Sequence, residues 1–389
     1  MKTYYFDYNA TTPLAPQVRQ VMEPFLTEHF GNPSSLHTLG KQAARAVREA
    51  RKKMALLLGT DHESEIIFTS GGTESNNAAI RSALASFPDK KEIVTSSVEH
   101  SSVYRVFRQL EKEGYKVHWI KVDQQGQLDF TEFDEALSER TALVSIMTAN
   151  NETGAVFPTV TIAEKVKTRG ILFHVDAVQS VGKIPVELKN TGIDFLSLSA
   201  HKFYGPKGVG ALYVRQGTPF HPSILGGAQE RGRRAGTENV AGIVGLGAAC
   251  EMVFEEMETE SQKLVRLRDL FERRVQEKIP DISINAQEAE RLPNTSNIEF
   301  KNADGEALFF ALDQKGVCAS NGSACMSGSR EPSRVLKALG LTDEEANTSL
   351  RFSFGRLTTE ADIEEGAALL SETVQRIREI PLERQHTHA

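Results

Sequence analysis

From about residue 60 to residue 215 the chain alternates between short, continuous apolar runs and stretches of helical period. Ile66-Ile67-Phe68-Thr69 and Ile93-Val94-Thr95 read as buried strands, as do the runs at 117–122, 142–147, 171–175, 195–199 and 210–214. Helical patterns begin at Glu74 and recur over 103–110 and 130–137. Strands that are apolar on both faces and separated by helices predict a mainly parallel sheet covered on both sides. Ligands of such sheets bind beyond the carboxyl ends of the strands. That directs attention to the polar residues that follow each run: Thr73 and Glu74, Glu99 and His100, Asn150 and Asn151, Asp176 and Gln179, and Ser199, His201 and Lys202.

After Gly236 a long helical stretch continues to about Ile279, with charge concentrated on one side. From Asn297 the pattern becomes strand, helix, loop, helix, a strand at 350–354 and a last helix over 359–380. The expectation is therefore an α/β protein with a large domain over 15–260. A smaller α+β domain is expected from 1–14 together with 261–389. Residues 385–389 read as a frayed tail, and no metal site is expected from its His386 and His388.

Composition narrows the class. The chain has 389 residues, 45 Lys+Arg and 52 Asp+Glu, a formal net charge of −7. A chain this long buries enough surface to need no covalent staples. Mild acidity argues against direct binding of nucleic acid or an anionic membrane, which call for a concentrated positive face. No apolar stretch has bilayer length, and the beginning Met1-Lys2-Thr3-Tyr4-Tyr5 lacks the apolar segment of a secretory signal. Three cysteines, Cys250, Cys318 and Cys325, make no disulfide framework. A reducing, cytoplasmic setting is expected.

Candidate chemistry begins with the segment 194–208, in which an apolar strand delivers Ser199, His201 and Lys202 into a Gly/Pro turn. A lone lysine at a strand end is ordinarily a solvated one. The sharper reading is an amine held in a cleft and able to form a Schiff base. Asp176, ending the run 171–175, is by itself a turn or cap residue. Taken with Lys202, it supplies a carboxylate for a cationic ring nitrogen and an amine for an aldehyde, the pair that pyridoxal phosphate requires. Ser70-Gly71-Gly72-Thr73 at a helix start offers a phosphate cradle, although most Gly-Gly turns merely connect elements. The set carries the reading, not its members.

Five segments in order, Phe68-Thr-Ser-Gly-Gly-Thr-Glu-Ser75, Val98-Glu-His100, Ala149-Asn-Asn-Glu-Thr-Gly154, His174-Val-Asp-Ala-Val-Gln179 and Ser199-Ala-His-Lys202, resemble the cysteine desulfurases of the NifS/IscS type, fold-type I pyridoxal-phosphate enzymes. The likeness extends to Tyr8-Asn-Ala-Thr-Thr-Pro13, Phe30-Gly-Asn-Pro-Ser-Ser35, Arg233-Arg-Ala-Gly-Thr237, Gly322-Ser-Ala-Cys325 and Leu350-Arg-Phe-Ser353, nearly the whole chain. The resemblance implies that Lys202 holds the cofactor as a Schiff base, that Asp176 pairs with its ring nitrogen and that Gln179 hydrogen-bonds the ring oxygen. His100 would stack on the ring and assist proton transfer. Thr73, Ser199, His201 and the Gly72 backbone would bind the phosphate, with Thr237 reaching the phosphate of the other subunit in a homodimer. Asn151 lies at the cofactor and, with Arg351, would hold the substrate carboxylate, an anion suited to a guanidinium fork.

The thiols then separate. Cys250, in an apolar helix, and Cys318, in a strand-like run, read as core residues. Cys325 lies in a run of small residues, 319–330, almost without apolar anchors, and such a loop is expected to move. The resemblance makes Cys325 the nucleophile that takes sulfur from L-cysteine, leaving alanine and a persulfide. Its sulfur would pass to an iron–sulfur scaffold or another protein sulfur carrier, although residues 383–389 show no match to the scaffold-docking tail of the housekeeping enzymes. A class V aminotransferase would share Lys202 and Asp176 without needing Cys325. Selenocysteine lyase activity and a non-catalytic, cofactor-binding scaffold role also stay open at the level of sequence.

Overall fold

A computed structural model describes residues 2–321 and 331–380. Strand β1 (Tyr4–Tyr5) is followed by β2 (Ile66–Thr69), β3 (Glu92–Ser96), β4 (Lys116–Ile120), β5 (Thr141–Met147), β6 (Leu172–Asp176), β7 (Phe195–Ser199) and β8 (Gly210–Val214). Strands β2 to β8 form one seven-stranded sheet in the order β2-β8-β7-β6-β5-β3-β4. All neighbours pair in parallel except β8, which runs against both β2 and β7. The segment joining β7 to β8 is a turn with no crossover helix, so β8 must return antiparallel. Parallel strands need burial on both faces, and every residue of β5 is buried.

Alternation along the strands sends neighbours to opposite faces. Ile67, Ile93, Leu143, Leu172, Phe195 and Leu212 join one core with the helices Gly72–Ser86 and Ser101–Lys112. Phe68, Val94, Val144, Phe173, Leu196 and Tyr213 join another. The helical pattern that begins in the sequence at Glu74 starts two residues earlier, at Gly72. A side chain there would drive a Cβ to 2.6 Å from the Val178 Cγ2 atom.

The helix Val240–Lys278 ends one core and begins the next. At 39 residues it is about 58 Å long. Ile243 to Val253 pack with the sheet, whereas Leu264 to Val275 pack in a separate cluster with Phe6, Phe300, Phe352 and Phe354. That second cluster lies on a four-stranded antiparallel sheet, β12-β13-β10-β9. Its strands are β9 (Ile282–Ile284), β10 (Thr295–Phe300), β12 (Ser320–Asn321) and β13 (Ser349–Ser353), with β11 (Val317–Cys318) pairing in parallel with β1. Cys250 is fully buried, as expected. Cys318 corrects its expectation: it is only half-buried. On a two-residue strand alternation gives the core side to Val317, which is buried, and turns Cys318 the other way.

Candidate active site

The carboxyl ends of β2, β3, β5, β6 and β7 face one cavity of about 980 Å³. Its walls include Gly72, Thr73, His100, Asn151, Asp176, Gln179, Ser199, His201, Lys202 and Arg351. The topology thus brings together ten residues spread from 72 to 351. Cys325 lies outside the described residues. Ser320, Asn321, Glu331, Pro332 and Ser333, which flank its segment on both sides, line the same cavity. Thr237 is exposed and is not among the lining residues.

Asp176 ends β6 and is 5% exposed. Its Oδ1 accepts the Val178 N–H at 3.0 Å and its Oδ2 accepts the Asn76 amide at 2.7 Å. Among the described residues no lysine or arginine forms an ion pair with it. A buried carboxylate facing a cavity in this way is costly, and a cationic ring nitrogen would complete it. His100 caps the Ser101–Lys112 helix: its Nδ1 accepts the Ser102 N–H at 3.2 Å and lies 2.8 Å from the Ser102 hydroxyl. That leaves Nε2 as the nitrogen free to work in the cavity. Burial pulls the imidazole below its ordinary pKa, against the opposing pull of Asp176.

Lys202 sits in the turn after β7. Its Nζ donates to the Asn9 and Ala10 carbonyls at 2.6 and 2.8 Å. The chain's first residues therefore form a wall of the site. Asn9 also accepts from Gln179 Nε2 at 3.0 Å through its carbonyl and from Lys183 Nζ at 3.2 Å through Oδ1. Lys183 donates in turn to Gln179 Oε1 at 2.8 Å, which fixes the orientation of that amide. Burial pushes the Lys183 amine well down.

Arg351, on β13, is pinned to Asp7 at 2.6 Å and to the Asn151 carbonyl at 2.9 Å. Its Nε is buried with no hydrogen-bond partner among the described residues. On the far wall the Arg334 guanidinium donates to the Ser97 and Glu99 carbonyls and lies 4.0 Å from the Tyr104 ring centroid. Arg334 thereby ties the segment after residue 330 to the turn that presents His100.

Beside the main cavity is a smaller hollow lined by Ser70, Gly71, Gly72, Thr73, Ser199, His201 and Lys207. It opens at the N-terminus of the 15-residue Gly72–Ser86 helix, where free N–H groups and the helix dipole favour an anion. Gly71 has φ +148°, a conformation that suits glycine, and a Cβ on Gly210 would stand 2.6 Å from the Gly71 Cα. Burial, with Lys202 nearby, pulls His201 down to about 4, and its Nδ1 contacts the Thr11 hydroxyl at 3.1 Å. A neutral His201 can donate from Nε2. The hollow, the carboxylate and the lysine fit a phosphorylated pyridine aldehyde.

Sequence patterns alone do not mark Asp7, Asn9, Asn76, Ser102, Lys183 and Arg334 as participants. The segment 8–13 carries a motif, but nothing in it discloses that it returns to the site. Asn76 carries a usable signal: an amide on the buried face of a helix, among Ala78, Ala79 and Ile80, needs a polar partner.

Residues 4–365 match the family model described as Aminotransferase class-V. The chain is 53% identical over 378 residues to a cysteine desulfurase of Trichormus azollae, covering 97% of this chain and 94% of that one. It is 48% identical over 364 residues to the cysteine desulfurase NifS of Azotobacter vinelandii, covering 94% and 90%. A solved NifS-like protein superposes with a TM-score of 0.90 at 36% identity, covering 96% of this chain and all of the other.

Proposed function

The chain belongs to the class-V aminotransferase family and, within it, to the cysteine desulfurases, and from that premise we propose how its residues divide the work. L-cysteine is the substrate, pyridoxal phosphate the cofactor and Cys325 the acceptor of sulfur. When bound, pyridoxal phosphate supplies an electron sink that stabilises negative charge at the substrate Cα. Lys202 holds the cofactor, Asp176 faces its ring nitrogen and Gln179 its ring oxygen. Gly72, Thr73, Ser199 and His201 hold the phosphate. Arg351 and Asn151 orient the substrate carboxylate, and the place of both in the cavity wall supports that reading. With the cofactor bound, His100 would stack on its ring, and its Nε2 moves the proton released when the thiol is engaged.

The Cys325 thiolate attacks the substrate sulfur; an S–S bond forms as the substrate Cβ–S bond breaks, and the carbon skeleton leaves as alanine. The persulfide then passes to a protein acceptor, an iron–sulfur scaffold or a sulfur carrier. A reducing cytoplasm suits a thiol with this task. We assign residues 15–260 to cofactor binding and residues 1–14 with 261–389 to the smaller domain. The change of core along the Val240–Lys278 helix supports that division. A homodimer would bring Thr237 to the partner's phosphate.

One observation carries the reading: Lys202, Asp176 and both flanks of the Cys325 segment line one cavity, and the anion hollow adjoins it. The test is Cys325→Ser in the purified holoenzyme. The variant is expected to keep cofactor absorbance and cysteine binding and to lose persulfide and alanine formation by at least about 10³-fold, since a thiol nucleophile is removed outright. Full sulfide release would overturn Cys325 as nucleophile, and a keto acid in place of alanine would make the enzyme a transaminase.

A further inference from the structure

Both N–H bonds of one buried amide join the acid and the histidine of this site. Asn76, on the helix Gly72–Ser86, is fully buried. Its Nδ2 donates to Asp176 Oδ2 at 2.7 Å and to Ser102 Oγ at 2.8 Å. Ser102 Oγ in turn lies 2.8 Å from His100 Nδ1. Hydrogen-bond chemistry fixes the direction of this chain. A carboxylate can only accept, so the amide nitrogen of Asn76, not its oxygen, faces Asp176. With a second Nδ2 hydrogen going to Ser102, the serine hydroxyl accepts from Asn76 and has its own proton left for His100 Nδ1.

We propose that Asn76 is a positioning residue for the desulfurase reaction, holding the Asp176 carboxylate and, through Ser102, the His100 ring in one fixed relation. A packing role alone does not account for what is seen. Asn76 Oδ1 is buried with no hydrogen-bond partner among the described residues, a desolvation cost that an alanine or leucine would avoid. The chain carries an asparagine here at that cost, and both of its donors point at site residues. The acid comes from β6 and the histidine from the turn after β3, so neither strand fixes their mutual geometry. The helix that starts at the anion hollow also carries this link, four residues beyond Gly72. Cofactor phosphate, ring and histidine are thereby referred to one rigid element.

The inference rests on the roles given above to Asp176 and His100, and the experiment separates the two. Asn76→Leu keeps the side-chain volume and removes both donors. In apoprotein titrated with pyridoxal phosphate, its dissociation constant is expected to rise about 10- to 100-fold, the worth of a charge-assisted hydrogen bond. In the reconstituted holoenzyme kcat for alanine formation should fall about 10²-fold with KM for cysteine little changed. The ring-nitrogen NMR signals of 15N-labelled His100, assigned by difference against His100→Gln, should move. Ser102→Ala, at a half-buried position, cuts only the histidine arm. It should move the His100 signals and lower kcat while leaving cofactor affinity within about twofold, because the Asp176 bond survives.

If Asn76→Leu folds and keeps cofactor affinity and kcat within about twofold of the parent, while Asp176→Asn loses both, Asn76 positions nothing and the proposal falls alone. If Asp176→Asn also keeps cofactor affinity, the reading of the site falls and takes the proposal with it. Should Asn76→Leu not fold, Ser102→Ala decides: unchanged His100 signals and unchanged kcat overturn the link.

Discussion

Glu99 stands one residue before His100 with its carboxyl completely buried. Its Oε1 accepts from the Ser96 hydroxyl at 2.6 Å and the Met147 N–H at 3.0 Å, while Oε2 has no partner among the described residues. Burial pushes it from 4.5 up to about 8. Below pH 4.5 the folded and unfolded chains both hold this proton. Between 4.5 and about 8 only the folded chain does, so stability declines as pH rises through that window and levels off above it. Glu99→Gln removes the proton exchange. Denaturant unfolding at pH 5 and pH 8.5 should show a smaller loss in the variant, by on the order of a few kcal/mol. A parallel pair of curves would contradict this. Lys202 and Asp176 were legible in the sequence because each follows an apolar run that fixes its place at a strand end. Asp7, Asn9 and Lys183 were not, because their partners lie far away in sequence and only the closed fold makes them neighbours.

Among elements, the strands were the most legible. Continuous apolar runs marked β2, β3, β5, β6, β7 and β8 to within a residue or two, since burial on both faces leaves no room for polar interruption. The reversal of β8 was not legible, because direction depends on the connection and not on the strand's own residues. The packing of Thr38–Leu57 against Val240–Lys278 is another tertiary matter. A Cβ on Gly247 would lie 2.6 Å from the Ala50 Cα and Cβ. Gly247→Ala gains about 1 kcal/mol of helix propensity and incurs about 1–3 kcal/mol of overpacking against backbone that cannot turn aside. The overpacking wins, so Tm in a calorimetric scan should fall by a few degrees. An increase would mean that the two helices separate freely.

For the whole molecule, Leu26, Phe30, Leu36 and Leu225 are 67%, 75%, 86% and 80% exposed in the single chain. Isolated apolar residues at a surface are ordinary, but Leu26, Phe30 and Leu36 stand this open within one short stretch, which marks a surface meant to be covered. With Thr237 exposed away from its own cavity, they support the homodimer proposed above. Sedimentation should give about 86 kDa, twice the 42.9 kDa of the chain. Thr237→Ala should weaken cofactor binding about tenfold, the worth of one hydrogen bond, with no change in that mass. A monomer with full cofactor affinity would refute both.

By itself the sequence determined the α/β architecture, the family and the identities of the residues proposed to do chemistry. Period and apolar continuity are local properties, and the motifs stand in the order in which strands deliver them. Only the tertiary structure decided which groups hold those residues in place. Asn76 became a link between Asp176 and His100, and the opening residues 7–10 became a wall, because burial leaves polar groups to satisfy one another across the fold. No local pattern records where such a partner will be.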